Sequence, residues 1–432
     1  MKVLRKESYV MVDIDGNNNK FWTFEVHDDF TVHVTNGRMD GSGQKQKPKA
    51  FNTEYHAIAY AETKIREKLR KGYVPFEGVT NGGSSTSSVS HMDLEMAASR
   101  QIRTRNRSQI ESLVRFLIEK NVHSILSKTD LSYDSDTGLF KTPMGIVTLS
   151  AIMKARVLLG KLSDHMAKQD FTSSEVKRHL ADYMMLIPQG AGRKLTVQAI
   201  IPDEDAINRQ NGILDDLESS IEQLEDLRKK KAIAEGKDIA EQKVFSCEIN
   251  LCEDEKVISE IQRFYESTRK TMHHLAYRFS IKRVYEVKID DQDAAFEKDG
   301  RSIGNIQRLW HGTRPGNVLS ILKNGFVIPP SKAGHVTGRL FGDGVYASDQ
   351  STKSLNYACG FWGGGYEPNC FMFLADFAMG RSYCPKKTYE DLPKDGYDST
   401  YVKGGTCGVL NNEMIVYKPS QSVIRYLVEF EA

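Results

Sequence analysis

The sequence of 432 residues lacks several features that mark secreted, membrane and polyanion-binding proteins. Its six cysteines form no Cys-x-x-Cys pair, which predicts reduced thiols rather than a disulfide framework. No apolar run approaches the roughly 20 residues that a membrane span requires, and residues 1–5 lack the apolar core of a signal peptide. We therefore expect an intracellular protein with no membrane partner, in the nucleus of a eukaryote or in the cytoplasm or nucleoid of a bacterium.

Net charge and metal-ligand patterns are also nearly absent. The 59 Lys and Arg residues almost cancel the 57 Asp and Glu residues, so any binding to nucleic acid has to be local. The pairs Cys247/Cys252 and His273/His274 do not have the spacing of a zinc site, and the sequence contains no zinc-finger ligand set. We expect no metal.

A Gly/Ser-rich run at residues 81–88 predicts a flexible tether, assigned to residues 79–99. Before it, residues 21–26 and 30–34 are rich in aromatic and β-branched side chains, with turns expected at Asn36-Gly37 and Asp40-Gly41. With a basic helical segment from Thr53 to Lys71, these runs predict a small α+β module over residues 1–78. Its glycine-rich loop carries four basic residues, namely Arg38, Lys45, Lys47 and Lys49.

After the tether, apolar residues recur at helical spacing, which predicts an all-α bundle over residues 100–277. The stripes include Ile110, Leu113, Val114, Leu117 and Ile118; Ile152, Ala155, Leu159 and Leu162; Val176, Leu180, Tyr183 and Ile187; and Ile258, Ile261, Tyr265, Met272 and Leu275. The charged run 225–243 is open to two interpretations, a nucleic-acid patch or a solvated helix end or loop. We favour the second because the run has no aromatic residues on which bases could stack.

From residue 278 to residue 432 the pattern changes to short β runs separated by glycines, which predicts a β-rich α+β domain. In the last run, residues 424–430, apolar residues alternate with Arg425 and Glu429, as in a half-buried strand. The chain is thus predicted to be a multidomain α+β protein.

Three places in this last domain combine reactive side chains with glycines. His311-Gly312 offers ring nitrogens to a ribose hydroxyl and a backbone that a planar group can approach, although the pair alone also fits a satisfied histidine before a turn. Tyr346 and Tyr357, with Ser354 three residues before the second, could enclose an aromatic ring such as nicotinamide and bind its substituent. They could equally be core aromatics.

The third place is Glu413, which begins an otherwise apolar run. A carboxylate there is costly to bury without a partner or a task. It suits cleavage of a glycosidic bond, because it can hold a ribose hydroxyl and stabilise positive charge on the anomeric carbon. A surface glutamate at a strand end is the alternative.

These elements, in this order, resemble the His-Tyr-Glu signature of the poly(ADP-ribose) polymerase family. The resemblance rests on five runs and extends beyond them: Leu309–Thr313, Val336–Gly338, Phe341–Tyr346, Lys353–Tyr357 and Asn412–Tyr417. It implies that residues 278–432 form an ADP-ribosyltransferase domain, that the helical segment is the family's regulatory domain, and that residues 1–78 form a WGR-like module.

The resemblance also implies roles for the residues. NAD is the substrate, with His311 at its adenosine-side ribose, Gly312 and Ser354 at the carboxamide, and Tyr346 and Tyr357 flanking the nicotinamide ring. Lys353 is implied to lie beside the acceptor path. Glu413 is implied to fix the nicotinamide ribose and to activate the attacking hydroxyl, and a glutamate at this position favours polymer formation.

For the N-terminal module the resemblance implies binding to DNA ends or nicks, preferably 5′-phosphorylated ones. Asn36 stands where the family has the tryptophan of the WGR motif, which removes one stacking surface, whereas Arg38 and the three lysines remain for phosphate contacts. Val327 and Asp343 also depart from a frequent arginine and a frequent lysine of the family.

We therefore predict a DNA-break-activated poly(ADP-ribose) polymerase that modifies itself and other proteins and releases nicotinamide. In this hypothesis the helical domain covers the NAD pocket, and DNA binding to residues 1–78 loosens it. Two alternatives are a mono-ADP-ribosyltransferase and a DNA-end-binding scaffold with a silent transferase domain.

Overall fold

The computed structural model describes residues 2–39, 43–76, 97–129, 131–134, 139–142, 145–189, 195–203, 206–207, 209–218, 220–221, 245–328, 340–361, 366–388 and 390–432. The predicted tether (apart from residues 97–99, which are helical), the turn at Asp40-Gly41, the charged run 225–243 and the run Val336–Gly338 lie outside these residues. The chain divides into two compact units, residues 1–90 with 122–228, and residues 91–121 with 229–432.

The helices and strands are numbered in chain order. The helices with described bounds are α1 (Glu54–Arg70), α2 (Arg107–Lys128), α3 (Leu149–Ala167), α4 (Ser174–Leu186), α5 (Val197–Ile200), α6 (Glu255–Ser267), α7 (Asp290–Ala295), α8 (Pro315–Asn324) and α9 (Ser351–Ala358). The strands are β1 (Val3–Asp13), β2 (Asn18–His27), β3 (Thr31–Arg38), β4 (Gln44–Lys45), β5 (Lys49–Ala50), β6 (Val74–Pro75), β7 (Ser132–Asp134), β8 (Leu139–Thr142), β9 (Gly145–Ile146), β10 (Cys247–Leu251), β11 (Ser280–Ile289), β12 (Ile306–Thr313), β13 (Val345–Ala347), β14 (Asn369–Ala378), β15 (Ser382–Tyr383), β16 (Ser399–Val402), β17 (Glu413–Val416) and β18 (Ser422–Glu431).

The first unit begins with a sheet in the order β4-β3-β2-β1-β6, with β5 also paired to β3. Helix α1 packs on it through Ala57, Ala61 and Ile65, and the hydroxyl of Thr53 caps this helix by accepting from the His56 amide. This is the predicted small α+β module. The turn expected at Asn36-Gly37 is wrong, because both residues lie within β3 and pair with β2.

The segment predicted as an all-α bundle is not entirely helical. Strand β10, near the end of the segment, belongs to a five-stranded sheet of the second unit. The described part of residues 206–221 is helical, and a three-stranded sheet, β7-β8-β9, also interrupts the segment. Helical periodicity could not predict these strands, because they are only two to four residues long. The predicted stripes of α3 and α4 are buried, and Met185 packs against Val10, Phe21 and Met39 of the first module.

The second unit is built on a five-stranded sheet in the order β10-β11-β18-β14-β12 and a four-stranded sheet in the order β13-β17-β16-β15. The strand predicted to be half-buried is β18. It lies between β11 and β14 and is buried along most of its length. Its Glu429 is buried and accepts from the hydroxyl of Tyr285 at 3.2 Å. The stripe predicted through Leu275 is shorter, because α6 ends at Ser267, and the side chain of Met272 is exposed.

Helix α6 contributes to the hydrophobic core beside strands β12 and β18. Ile261 and Tyr265 of α6 pack in one cluster with Trp310 of β12 and Phe430 of β18. None of the described helices is long and apolar enough to cross a membrane.

Candidate active site

Strand β12 holds His311 and Gly312 in a fixed position. Trp310, immediately before them, is fully buried, and its indole N–H donates to the hydroxyl of Thr268 at 3.2 Å. The backbone of Trp310 also exchanges two hydrogen bonds with Ser348, at 2.9 and 3.0 Å. The strand therefore cannot shift without breaking contacts on both sides.

The imidazole of His311 is oriented by the next strand of the site. Its Nδ1 lies 2.8 Å from the carbonyl oxygen of Tyr346, and its ring lies 4.5 Å from that of Phe326. Burial, together with the nearby Lys353 ammonium, lowers the pKa of His311 to about 4, although the hydrogen bond with the Tyr346 carbonyl acts in the opposite direction. The neutral ring donates from Nδ1 to that carbonyl, which leaves Nε2 able to accept from a hydroxyl.

Gly312 is required by the close approach of α9. A Cβ at this position would lie 1.7 Å from the carbonyl oxygen of Ser354. The hydroxyl of Ser354 donates to the carbonyl of Trp310 at 3.0 Å, which fixes α9 on β12. The absent side chain therefore makes room for the helix, whereas the sequence had suggested room for a ligand.

The two tyrosines differ in their surroundings. The hydroxyl of Tyr346 donates to the carbonyl of Gly342 at 2.8 Å and accepts from the amide of Phe341 at 3.0 Å, so it fixes the glycine turn before β13. Tyr357, near the end of α9, is 42% exposed, and the ammonium of Lys353 lies 5.5 Å from its ring centroid. Tyr357 is therefore partly open to solvent beside Lys353.

Glu413 is the first residue of β17 and forms an ion pair with Lys353 of α9. Both residues are buried, at 9% and 3% exposure. Removing two charges from water costs several kcal/mol per ion, so a buried pair is weak evidence for stability alone. Such a pair, near neutral His311 and the partly exposed Tyr357, is typical of a catalytic site.

Sequence reasoning missed the polar residues that position Glu413. The amide nitrogen of Asn412 lies 3.0 and 3.1 Å from the two carboxylate oxygens of Asp349, and its amide oxygen accepts from the Gly404 N–H at 2.8 Å. The hydroxyl of Ser348 donates to the Asn412 carbonyl at 2.9 Å. Asparagine side chains often bond to nearby backbone groups where a strand begins, so the asparagine directly before this apolar run was a signal for these contacts.

A second missed group supports the other side of α9. The hydroxyl of Thr352 accepts from the Lys270 amide at 2.8 Å and lies 2.9 Å from Nδ1 of His273. Burial lowers the pKa of His273, and Lys353 lowers it further, although a hydrogen bond with Asn411 raises it. His273 and Asn411 also line a cavity of about 410 Å³, whose lining residues do not include those predicted for the site.

The basic residues predicted to contact DNA lie along one edge of the first sheet. Arg38 ends β3, Lys45 is on β4 opposite Thr35, and Lys49 is on β5 opposite Val32. The single loop expected from the sequence is therefore two short strands paired with β3, and Lys47 lies between them. The three lysines are exposed.

Asn36, at the position of the missing tryptophan, lies on the same edge. Its amide oxygen accepts from the side chain of Gln46 at 2.7 Å. The ammonium of Lys49 lies 4.2 Å from the ring centroid of Tyr60, which keeps that charge against the module. Of the two other departures from the family pattern, Val327 is 59% exposed, and Asp343 is partly exposed in the turn before β13.

The lowered pKa of His311 predicts a pH dependence of stability. Between an unfolded pKa of about 6.5 and a folded pKa of about 4, the unfolded chain binds the proton more tightly, so stability falls as pH falls through this window. We expect the contribution of His311 to fall by up to about 1.4 kcal/mol per pH unit and to be absent in His311→Gln. Urea unfolding between pH 7 and pH 4 measures it, with His123→Gln as the exposed control. Equal pH slopes in wild type and His311→Gln would contradict this.

Both ends of the chain match known domain families. Residues 255–432 match the model of the poly(ADP-ribose) polymerase catalytic domain, and residues 8–79 match the WGR domain. The first match begins within the segment predicted as helical and includes α6.

Individual relatives agree with these matches. The chain is 33% identical over 158 residues to a putative poly [ADP-ribose] polymerase-like protein, 100L, of Invertebrate iridescent virus 6, which covers 34% of this chain and 83% of the relative. It is 26% identical over 357 residues to poly [ADP-ribose] polymerase 2-B of Oryza sativa subsp. japonica, covering 80% of this chain and 54% of the relative. It is 28% identical over 204 residues to poly [ADP-ribose] polymerase 2 of Homo sapiens, covering 40% of this chain and 33% of the relative. The chain thus spans about half the length of the rice relative.

Proposed function

Because this chain belongs to the poly(ADP-ribose) polymerase family, as predicted, we propose that it is an NAD-consuming ADP-ribosyltransferase that builds polymers in response to DNA breaks. The family assignment supports the enzyme class. The observation that carries the residue assignment is the buried ion pair between Lys353 and Glu413 at the start of β17.

NAD binds in an extended arrangement along β12 and α9. Nε2 of neutral His311 accepts from a ribose hydroxyl on the adenosine side, and the Gly312 backbone and the Ser354 hydroxyl bind the carboxamide. The hydrogen bonds already made by His311 and Ser354 support this, because both side chains are fixed before substrate arrives. The nicotinamide ring stacks against Tyr357, and Tyr346 lies on the other side of the ring.

Glu413 acts on the nicotinamide ribose. Its carboxylate accepts from a ribose hydroxyl and stabilises the positive charge that grows on the anomeric carbon as the bond to nicotinamide breaks. Nicotinamide leaves with the electron pair of that bond, the acceptor oxygen forms the new bond, and the acceptor proton passes to Glu413 and then to water. Lys353 holds the carboxylate in place through the ion pair.

The acceptor is a protein side chain, including those of this chain, or a hydroxyl of an ADP-ribose unit already attached. We favour the growing chain because the position carries a glutamate, which can activate a hydroxyl, where an apolar residue could not.

DNA binding is assigned to the module that matches the WGR domain. The edge formed by Arg38, Lys45, Lys47 and Lys49 supports contacts to phosphates. With this activity we propose that the chain works in the nucleus of a eukaryote or in the cytoplasm or nucleoid of a bacterium.

Regulation by DNA is supported within the first unit. The module and the helical residues after it are joined by polar contacts: the amide of Leu195 donates to the side chain of Asn17 at 2.9 Å, and the ammonium of Lys177 lies 2.6 Å from the carboxylate of Asp15. A displacement of the module on DNA therefore also strains the helical residues, as the proposed release of the NAD pocket requires.

The test is incubation of the full chain with adenylate-labelled NAD, with and without nicked, 5′-phosphorylated DNA. We expect a protein-bound ladder on a denaturing gel that lengthens when DNA is present. A single shifted band would identify mono-ADP-ribosylation, and equal labelling in both samples would overturn the switch. DNA binding without any label would identify the silent scaffold.

The lysine edge predicts the salt dependence of DNA binding. Each phosphate contact contributes about −0.9 to the slope of the logarithm of the binding constant against the logarithm of salt concentration. Replacing Lys45, Lys47 and Lys49 with Gln should therefore reduce the magnitude of the slope by roughly 2 to 3. Fluorescence anisotropy with nicked DNA at several salt concentrations measures it.

The matched control replaces three exposed basic residues at the end of α1 and just after it, Arg66, Arg70 and Lys71, with Gln. It makes the same change of charge in the same module. An equal reduction of the slope in both triple variants would show that net charge, and not this edge, governs binding.

A further inference from the structure

Two histidines and a glutamate converge in the first unit, far along the chain from the predicted active-site residues. His165 lies near the end of α3, and Glu175 and His179 lie one turn apart on α4. One ligand atom from each side chain lies within 4.8 Å of the other two. The rings of the two histidines are 5.4 Å apart.

The tautomer of His165 is fixed by a carboxylate. Its Nδ1 lies 2.9 Å from Oδ2 of Asp170, and hydrogen bonds from the hydroxyl and amide of Ser173 and the amide of Thr172 hold that carboxylate in place and keep its pKa below the usual range. An ionised carboxylate only accepts, so the proton is on Nδ1. The lone pair of Nε2 is then free to bind a metal, in the carboxylate-histidine-metal arrangement of known zinc sites.

His179 brings a buried nitrogen with no partner. The residue is 5% exposed, and its Nδ1 has no hydrogen-bond partner among the described residues. A buried unsatisfied polar atom costs about 1 to 3 kcal/mol, which a bound ion would offset.

Glu175 can complete the set by a small movement. Its side chain is 61% exposed, and the separation of 3.9 Å from Arg178 makes only a weak ion pair. Zinc bonds of about 2.0 to 2.2 Å place tetrahedral ligand atoms about 3.3 Å apart. The three ligand atoms lie within 4.8 Å of one another, and rotation of the exposed Glu175 carboxylate can move its oxygen towards the two imidazoles.

We propose that His165, Glu175 and His179 bind a divalent transition-metal ion, with Zn²⁺ as the best match and water as the fourth ligand. Two imidazoles and one carboxylate favour Zn²⁺ over Mg²⁺ or Ca²⁺, which prefer oxygen ligands. The ion would hold α3 and α4 together, next to the module to which DNA binding is assigned. The sequence did not predict it, because the ligands come from two helices and match no finger spacing.

The experiment is a competition titration of the tag-free, chelator-treated full chain with Zn²⁺ and a chromophoric chelator, with Co²⁺ absorption as a second readout. We expect one ion per chain, with absorption typical of tetrahedral Co²⁺. His179→Gln and Glu175→Gln should each weaken binding by at least about tenfold, and Asp170→Asn, which removes the partner of His165, by about ten- to 100-fold.

Exposed His123 provides the matched control, and His123→Gln should bind as the wild type does. Circular dichroism without metal checks that each variant is folded, and the exposed Glu175 gives a variant whose folding does not depend on burial. Wild-type binding by Glu175→Gln and His179→Gln, or no binding of one ion by the wild type, would overturn the proposal.

Discussion

Glu413→Gln should lower the rate of ADP-ribosyl transfer by about 100- to 1,000-fold, while NAD binding changes by only a few-fold. The amide keeps the shape of the side chain and can still accept a hydrogen bond, but it cannot stabilise the positive charge on the anomeric carbon. Transfer is measured with labelled NAD, and NAD binding by calorimetry. Glu297→Gln, which changes an exposed glutamate paired with Arg301 in the same unit, should retain full activity.

The variant also leaves the buried ammonium of Lys353 without a counter-charge, which can destabilise the fold by about 3 to 5 kcal/mol. The double variant Lys353→Met, Glu413→Gln separates this effect from catalysis. Because it removes both charges, we expect it to recover stability and to remain inactive. Polymer of normal length from the single variant, or activity that returns with stability in the double variant, would contradict the role of Glu413.

Gly312→Ala should destabilise the second unit by about 3 kcal/mol or more and abolish transfer. The added methyl group would lie 1.7 Å from the carbonyl oxygen of Ser354, and backbone atoms of a packed helix cannot turn aside as a flexible side chain could. Helix α9 would have to move away from β12, and it carries Lys353, Ser354 and Tyr357. Thermal unfolding and transfer from labelled NAD measure the two effects.

A second glycine provides the control. Gly396 has a φ of +79°, and a Cβ there would meet no atom within 4 Å, so Gly396→Ala carries only the conformational cost. We expect it to lose about 1 kcal/mol and to keep its activity. Equal losses of stability and of transfer activity in the two alanine variants would contradict the role of the close contact between Gly312 and α9.

Much of the fold could be predicted from local patterns. The apolar stripes of α3 and α4 are buried as expected, because each helix buries one face and the spacing of that face is visible in the sequence. The strands β7 to β9 and the edge strands β4 and β5 could not be predicted, because each is too short to show a period. The strand β18 looked half-buried, since alternation does not show that a strand lies between two others.

For the candidate site, the sequence predicted residues but not the contacts between them. The glycine after His311 was visible, but only the fold shows that α9 fills the space of its missing side chain. The pairing of Lys353 with Glu413 joins residues 60 positions apart, which no local pattern reveals. The same limit hid the cluster of His165, Glu175 and His179, because its ligands lie on two helices.

The most direct measurement of the central claim is the stoichiometry of nicotinamide release. The purified chain is incubated with NAD labelled in either the nicotinamide or the adenylate half, in the presence of nicked DNA. We predict one free nicotinamide for each ADP-ribose unit that becomes attached to protein, and formation of both products about 100- to 1,000-fold slower in Glu413→Gln. Nicotinamide release without attached ADP-ribose, or neither product from the wild-type chain, would contradict the account.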